Sequence, residues 1–287
     1  MLFAGAPMLV PVTAVILTYN EAANIGCCLA CLENVADVVI VDSGSNDATL
    51  ESARAARPGV RIFHHAFKDF GDQRNWAIDH VGPISDWLLF VDADEFCDPE
   101  LLLEIQDFIA NPDGKVGAFI AGRNYFLGRW LKYSTLYPSY QLRLLRVGSV
   151  RFRKEGHGQR EVTDGALHYL KSGWRHEGFS KGVHQWVARH NQYSTDEVEL
   201  ILRLRREALD FGALVGADPI ARRRALKVLA SRLPARALFR FAYTYFLRRG
   251  FLDGRAGLDY CLLRLAHDLH IRVKMHETGA RDKHVDD

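Results

Sequence analysis

An α/β fold built on a mainly parallel, doubly wound sheet is predicted by three observations. Short β-branched apolar runs alternate with helical patterns through the first hundred residues, each run stops at a polar cluster, and the last third of the chain is strongly helical. The chain has 287 residues, 48% hydrophobic and 25% charged, with a net charge of +2. Such a composition excludes disorder as the dominant state. No run of about 18 uncharged apolar residues is present to span a bilayer. One large domain, or a domain with an appendage, is expected.

Residues 12–18 (VTAVILT) form the first strand, stopping at Tyr19-Asn20-Glu21, and residues 22–34 the first helix. Residues 37–41 (DVVIV) are the second strand, stopping at Asp42-Ser43-Gly44-Ser45-Asn46-Asp47. A helix over 48–56, a short strand over 60–63 and a polar segment over 68–75 follow. Residues 87–91 (WLLFV) give the fourth strand, which ends at Asp92-Ala93-Asp94-Glu95. Ligands of open α/β sheets sit outside the carboxyl ends of the strands. The three polar clusters therefore share one edge.

Beyond them lie a helix over 100–110 and strands over 117–124 and 141–147, which flank an aromatic stretch with Trp130, Tyr133 and Tyr137. Those rings fit core packing better than stacking on sugars. Residues 151–190 show no clean period, and helices are expected over 196–214, 220–233, 235–249 and 257–270. The organisation expected is a ligand-binding domain over 1–195, in halves of about 1–100 and 101–195, and a helical basic region over 196–287.

The small net charge conceals an asymmetry. Residues 1–100 carry 5 Lys/Arg against 15 Asp/Glu, and residues 201–287 carry 18 against 10. An acidic front suits a divalent cation, and a basic back suits phosphates or an anionic membrane. Five cysteines, an odd number without a second Cys-x-x-Cys pair to complete a zinc site, point to a reducing compartment, with Cys27 and Cys31 as small buried residues on one helix face. Residues 1–12 lack the basic and apolar regions of a signal peptide, so a cytoplasmic location is expected.

Two aspartates one residue apart at the end of a buried strand can both reach a hard cation whose other positions are filled by phosphate oxygens. Two chemistries compete for Asp92 and Asp94. In a haloacid-dehalogenase-like phosphatase the first aspartate attacks phosphorus and the second donates a proton; in a nucleotide-sugar glycosyltransferase the pair holds the cation that neutralises a leaving diphosphate. The phosphatase reading expects the pair near the first strand and leaves Asn20-Glu21 and Asp42 without a role. A non-catalytic nucleotide- or saccharide-binding module is a further alternative.

Thr18-Tyr19-Asn20-Glu21, then residues 41–49 (VDSGSNDAT), then Phe90-Val91-Asp92-Ala93-Asp94-Glu95, resemble the motif series of family-2 glycosyltransferases with the GT-A fold, a Rossmann-like, mainly parallel sheet flanked by helices, here with a helical C-terminal appendage. Gln73-Arg74-Asn75-Trp76-Ala77, Tyr137-Pro138 leading to Gln141-Leu142-Arg143-Leu144, residues 156–161 (GHGQRE), 176–194 and 248–257 are similar to the bacterial branch that builds lipopolysaccharide core, capsule or exopolysaccharide.

That resemblance implies an inverting transferase. Its donor would be a nucleotide-diphosphate sugar, UDP-linked, and its acceptor a saccharide or lipid-linked saccharide. Thr18, Asn20, Glu21, Asp42, Ser43, Gln73, Arg74 and Asp92 would bind the donor, with Asp42 accepting from the base ring N–H and Arg74 facing the diphosphate. For Asp42 the residues alone also allow an Asx turn before Ser43-Gly44. Asp94 and Asp92 would hold Mg2+ or Mn2+, with His176 as a further metal or diphosphate ligand. Inversion needs a general base; the expected Glu-Asp or His-Glu pair is not intact, and Glu161, Glu155 and His157 are the candidates.

Residues 201–250 carry 12 Lys/Arg against 3 Asp/Glu. Leu229, Leu233, Leu238, Phe239, Ala242, Tyr243, Phe246 and Leu247 recur there at helical spacing, with Arg236, Arg240, Arg248 and Arg249 among them. Such helices lie in a bilayer interface or pack on the domain with a solvated charged face, and the former predicts a peripheral site on the cytoplasmic face of an anionic inner membrane. Nucleic acid is not an expected partner, since no zinc ligands, helix-turn-helix or RNA-motif aromatics occur.

Overall fold

The computed structural model describes residues 9–156, 158–215, 219–233 and 235–285. They divide into two compact units. The first takes residues 9–130, 136–154 and 158–181; the second takes 131–135, 155–156 and the described residues from 182 onward.

The first unit is a mixed sheet flanked by helices. Its N-terminal half runs β1 (Val10–Thr18), α1 (Ile25–Cys31), β2 (Val35–Asp42), α2 (Thr49–Ala56), β3 (Arg61–His64), α3 (Phe70–His80), β4 (Trp87–Asp92), β5 (Glu95–Phe96) and α4 (Pro99–Ala110). The second half supplies β6 (Gly117–Phe126), β7 (Arg129–Trp130), β8 (Tyr140–Arg146), β9 (Arg151–Glu155), β10 (Gly158–Val162) and β11 (Leu167–His176). The strand order is β3-β2-β1-β4-β8-β6-β11-β5, with β7 paired to β6 and with β9 and β10 as a separate ribbon. Pairing is parallel from β3 to β4 and between β6 and β11, and antiparallel where β8 and β5 join.

Side chains alternate across the central strands, and both faces are apolar, as sheets covered on both sides require. Ala14 and Ile16 of β1, Val38 and Ile40 of β2, and Leu89 and Val91 of β4 pack with Ile25, Leu29, Leu101 and Ile105 of α1 and α4. The intervening Val15, Val39, Val41, Leu88 and Phe90 pack on the other face with Ala77 and Ile78 of α3.

The fold class and the strand ends match expectation; α3 does not. Residues 68–75 read as a polar segment, yet a helix begins at Phe70, capped by the Asp69 carboxylate, which accepts from Asp72 N at 2.9 Å. Its buried face carries Gln73 and Arg74 beside Gly71, Ala77 and Ile78, so no apolar period marks it. The irregular stretch 151–190 resolves into β9, β10, β11 and the start of a helix. In β11 the register shifts before Gly173, where a Cβ would stand 2.0 Å from the Ala121 carbonyl oxygen, so only glycine fits the close approach to β6. On α1 it is Cys28 that is buried, whereas Cys27 is exposed. The Cys31 thiol donates to Cys28 O at 3.0 Å and accepts from Cys97 N at 3.1 Å.

The second unit is helical: α5 (Gly182–Arg206), α6 (Phe211–Val215), α7 (Pro219–Arg232), α8 (Arg236–Ala242), a π-helical turn (Tyr243–Leu247), a 3-10 turn (Gly250–Asp253) and α9 (Gly254–Val285). Val198 and Ile201 of α5 pack with Ile271 and Met275 of α9. Buried Asp253 holds residues 131–135 in this unit, one oxygen accepting from Tyr133 N (2.9 Å), Ser134 N (2.7 Å) and Ser134 Oγ (2.7 Å).

Where α5 meets α9, the rings of His190 and His267 lie 5.4 Å apart, and His190 stacks on Trp186 at 3.5 Å. Burial and the Arg264 charge push His267 down to about 4; burial is also the main cause holding His190 at about 3. Both are neutral in the folded state and gain a proton at about pH 6.5 on unfolding. Their contribution is complete above about pH 7 and declines below pH 6.5 as the unfolded chain takes up protons. A His190→Gln, His267→Gln variant is therefore expected to lose less stability than the wild type between pH 7 and pH 5, by about 2 kcal/mol for each histidine, measured by urea unfolding.

Candidate active site

Register alone brings three of the polar clusters together. Thr18 pairs with Asp42 across β1 and β2, Leu17 pairs with Asp92 across β1 and β4, and Asp42 pairs with His64 of β3. On β5, Glu95 pairs with His176, the last residue of β11, which also pairs with Asn124 of β6.

Under these strand ends lies a buried ionic cluster. Arg143 of β8, 1% exposed, grips both oxygens of Asp92, with Nη1 donating to Oδ1 at 3.0 Å and Nη2 to Oδ2 at 2.6 Å, and it reaches Glu95 Oε1 at 2.7 Å. Arg74 of α3, 2% exposed, donates to Asp92 Oδ1 at 3.2 Å and to Gln159 Oε1 at 2.8 Å. Its guanidinium lies over Phe90, and that of Arg143 over Trp174. The Asp92 N–H donates to the Glu95 carboxylate at 2.9 Å. Burial works against the Asp92 carboxylate, but Arg143 and Arg74 overcome it and hold its pKa well below the usual range. Burial pushes Glu95 up to about 7, with the Asp92 charge adding to it and Arg143 opposing. Burial, helped by Arg143, draws Arg74 down to about 10.

Arg74, expected to face a diphosphate, is buried against Asp92. Asp92, whose side chain is 29% exposed, has both oxygens engaged by arginines and anchors the turn carrying Asp94.

Asp94 faces His176, with Oδ2 and Nε2 3.4 Å apart. The other ring nitrogen of His176 lies 2.8 Å from Asn124 Oδ1. An amide oxygen only accepts, so Nδ1 carries a proton, and Nε2 is the nitrogen that faces Asp94. Burial disfavours the His176 cation, yet Asp94, with Glu95 and Asp92, outweighs it and raises the ring to about 9. Gly178 keeps the ring edge clear, since a Cβ there would lie 3.2 Å from both Cε1 and Nε2. A carboxylate and an imidazole so placed suit Mn2+ or Mg2+ with phosphate oxygens completing the sphere. Among the described residues no group of three or more His, Cys, Asp or Glu converges as a full metal cage.

The loops after β1 and β2 are laced together. Asn20, with φ 53°, accepts from Asn46 N and donates its own N–H to Ser45 Oγ, both at 2.9 Å. Glu21 accepts from Asn24 Nδ2 at 2.6 Å and from Lys181 Nζ at 2.5 Å; burial raises its pKa against the pull of Lys181. Asp42 makes the Asx arrangement that its residue type allowed: Oδ2 accepts from Gly44 N and Ser45 N, and Oδ1 from Ser45 Oγ. Ser43 Oγ accepts from Gln73 Nε2 at 3.0 Å. Among the described residues, the Thr18 hydroxyl and Gln73 Oε1 are buried without a hydrogen-bond partner.

Of the base candidates, Glu161 is half-buried on β10 and shares a strand face with Gln159, the partner of Arg74. Glu155 ends β9 and belongs to the helical unit. His157 lies outside the described residues. Arg143 and Asn124 were missed as site residues. Arg143 sits within a recognised motif but reads as one of many strand arginines, and Asn124 has a signal only once β6 and β11 are in register.

The model of glycosyl transferase family 2 matches residues 13–166, more than half of the chain. The chain belongs to glycosyl transferase family 2. The match spans Thr18, Asp42, the Asp92–Asp94 turn, Arg143 and Glu161; His176 lies just beyond it. The family-2 chain is 32% identical over 145 residues to the lipopolysaccharide core biosynthesis glycosyltransferase LpsC of Rhizobium meliloti, covering 50% of this chain and 53% of that one. It thus spans about half the length of that relative. It is 24% identical over 292 residues to an uncharacterized glycosyltransferase of Rickettsia felis, covering 96% and 92%. Among solved structures it is similar to S. aureus TarS 1-349 in complex with UDP-GlcNAc, at 14% identity with a TM-score of 0.44, over 90% and 91% of the two chains.

The buried cluster dictates a stability test. Arg143→Met leaves Asp92 and Glu95 without their main counter-charge, and a loss of about 3–5 kcal/mol is expected in urea unfolding. Arg143→Lys is expected to restore less than half of it, because an ammonium cannot grip both Asp92 oxygens and Glu95 at once.

Proposed function

We propose that the protein is an inverting, metal-dependent glycosyltransferase that moves a sugar from a nucleotide-diphosphate sugar to a saccharide or lipid-linked saccharide of the bacterial envelope. The observation that carries this reading is the Asp94–His176 pair, oriented through Asn124 and set at the strand-end turn of a family-2 chain. The name of LpsC, a lipopolysaccharide core enzyme, supports the envelope acceptor. Cysteines that are all free agree with action in the cytoplasm.

In this reading Asp94 and His176 hold the divalent cation, which when bound neutralises the charge developing on the leaving diphosphate. The Thr18 hydroxyl and Gln73 Oε1 meet the donor, and the Asp42 loop lines the nucleoside side. Asp92, clamped by Arg143 and Arg74, fixes the backbone of the turn so that the Asp94 carboxylate is presented without rearrangement. Glu161 takes the proton from the acceptor hydroxyl as its oxygen bonds to the anomeric carbon. The bond from that carbon to the diphosphate breaks on the opposite face, the nucleoside diphosphate leaves, and the centre inverts.

A screen of nucleotide-diphosphate sugars with Mn2+, read by nucleotide release in the presence of a core saccharide, identifies the donor and tests the UDP expectation. Asp94→Ala is expected to lower transfer by at least about a hundredfold with an unchanged circular dichroism spectrum; full activity in that variant overturns the metal assignment. Thr18→Val is expected to leave the melting temperature unchanged or higher, since its hydroxyl has no protein partner, while weakening donor binding about fivefold to thirtyfold in calorimetry.

A further inference from the structure

The helical unit presents an apolar surface that its own packing does not need. Leu238 and Phe239 are each 58% exposed, Phe246 60% and Leu247 77%, and Tyr243, Phe251 and Leu252 are exposed beside them. All seven fall on one continuous stretch, α8 through the π-helical and 3-10 turns. Its inward side is formed by buried Ala237, Thr244, Gly250 and Asp253. Rings link the stretch into a ridge: Phe241 stacks on Tyr245 at 5.5 Å, and Tyr245 meets Phe246 at 5.1 Å and Phe251 at 6.3 Å.

Along the ridge's own segment the charge has one sign. Residues 219–252 contain nine Lys/Arg and no Asp or Glu. Arg236 and Arg240 are drawn inward to Asp268, while Arg222, Arg232 and Arg249 are exposed. We propose that this face docks on the surface of an anionic lipid bilayer, with the leucines and rings entering the acyl boundary and the arginines meeting phosphate headgroups.

Charge and apolarity together select this occupant. A nucleic acid would match the arginines but leave Leu247 and Phe246 in water. A second copy would bury the apolar ridge but bring two arginine-rich segments without acidic residues together. An interfacial helix satisfies both sets of side chains at once. Among the described residues no helix is long and apolar enough to cross a membrane, so the contact is superficial. The proposal stands independently of sugar transfer, and it supplies a reason for a lipid-linked acceptor.

Flotation of the full chain with vesicles of phosphatidylcholine alone, or mixed with phosphatidylglycerol, tests it. Binding is expected to the mixed vesicles and to weaken with salt. Phe246→Ser with Leu247→Ser is expected to reduce that binding at least about tenfold, and Arg249→Glu at least about fivefold, with unchanged circular dichroism in both. Absence of binding to anionic vesicles overturns the proposal, as does equal binding by wild type and the double variant. A dimer that the double variant dissolves, without vesicle binding, overturns it in favour of an interface between copies. None of these readouts uses donor turnover, so failure here is distinct from failure of the glycosyltransferase reading.

Discussion

The structure around the strand ends depends on how two buried arginines are neutralised. Arg74 and Arg143 are nearly inaccessible, and Asp92 and Glu95 are the carboxylates they reach. Removing a guanidinium from water is costly, so the cluster persists only because the paired carboxylates and the faces of Phe90 and Trp174 replace the lost solvation. It ties α3, β4, β5, β8 and β10 to one point. The consequence is rigidity in the Asp92–Asp94 turn, where displacement of the Asp94 carboxylate would separate it from His176.

The two aspartates of the turn therefore do different work although they are one residue apart. Asp92 faces inward to the arginines, and Asp94 faces the imidazole at the end of β11. The same division explains why β11 ends where it does: Glu177 N donates to Asp94 O at 2.9 Å, stitching the strand end to the turn. Asn124 then sets the ring so that one nitrogen is committed to the protein and the other to the site.

The helical unit follows a different logic. Two of its buried acidic side chains are spent internally, Asp253 on the 131–135 segment and Asp268 on Arg236 and Arg240. What remains outward along α8 and the two turns is apolar or positive.

The central strands and the polar residues that end them were legible in the sequence. Burial on both faces forces continuous apolar runs, and chemistry at strand ends interrupts them abruptly. α3 was not legible, because the residues it buries are Gln73 and Arg74, and a polar buried face leaves no apolar period. Nor were the true partners of Asp92 and Arg74, or the roles of Arg143 and Asn124. Those follow from strand order and register: β8 inserted beside β4, and β6 in register with β11, bring together groups far apart in the chain. Local periodicity carries no information about such pairings. Only the folded sheet decides that Asp92 meets the arginines and Asp94 the imidazole.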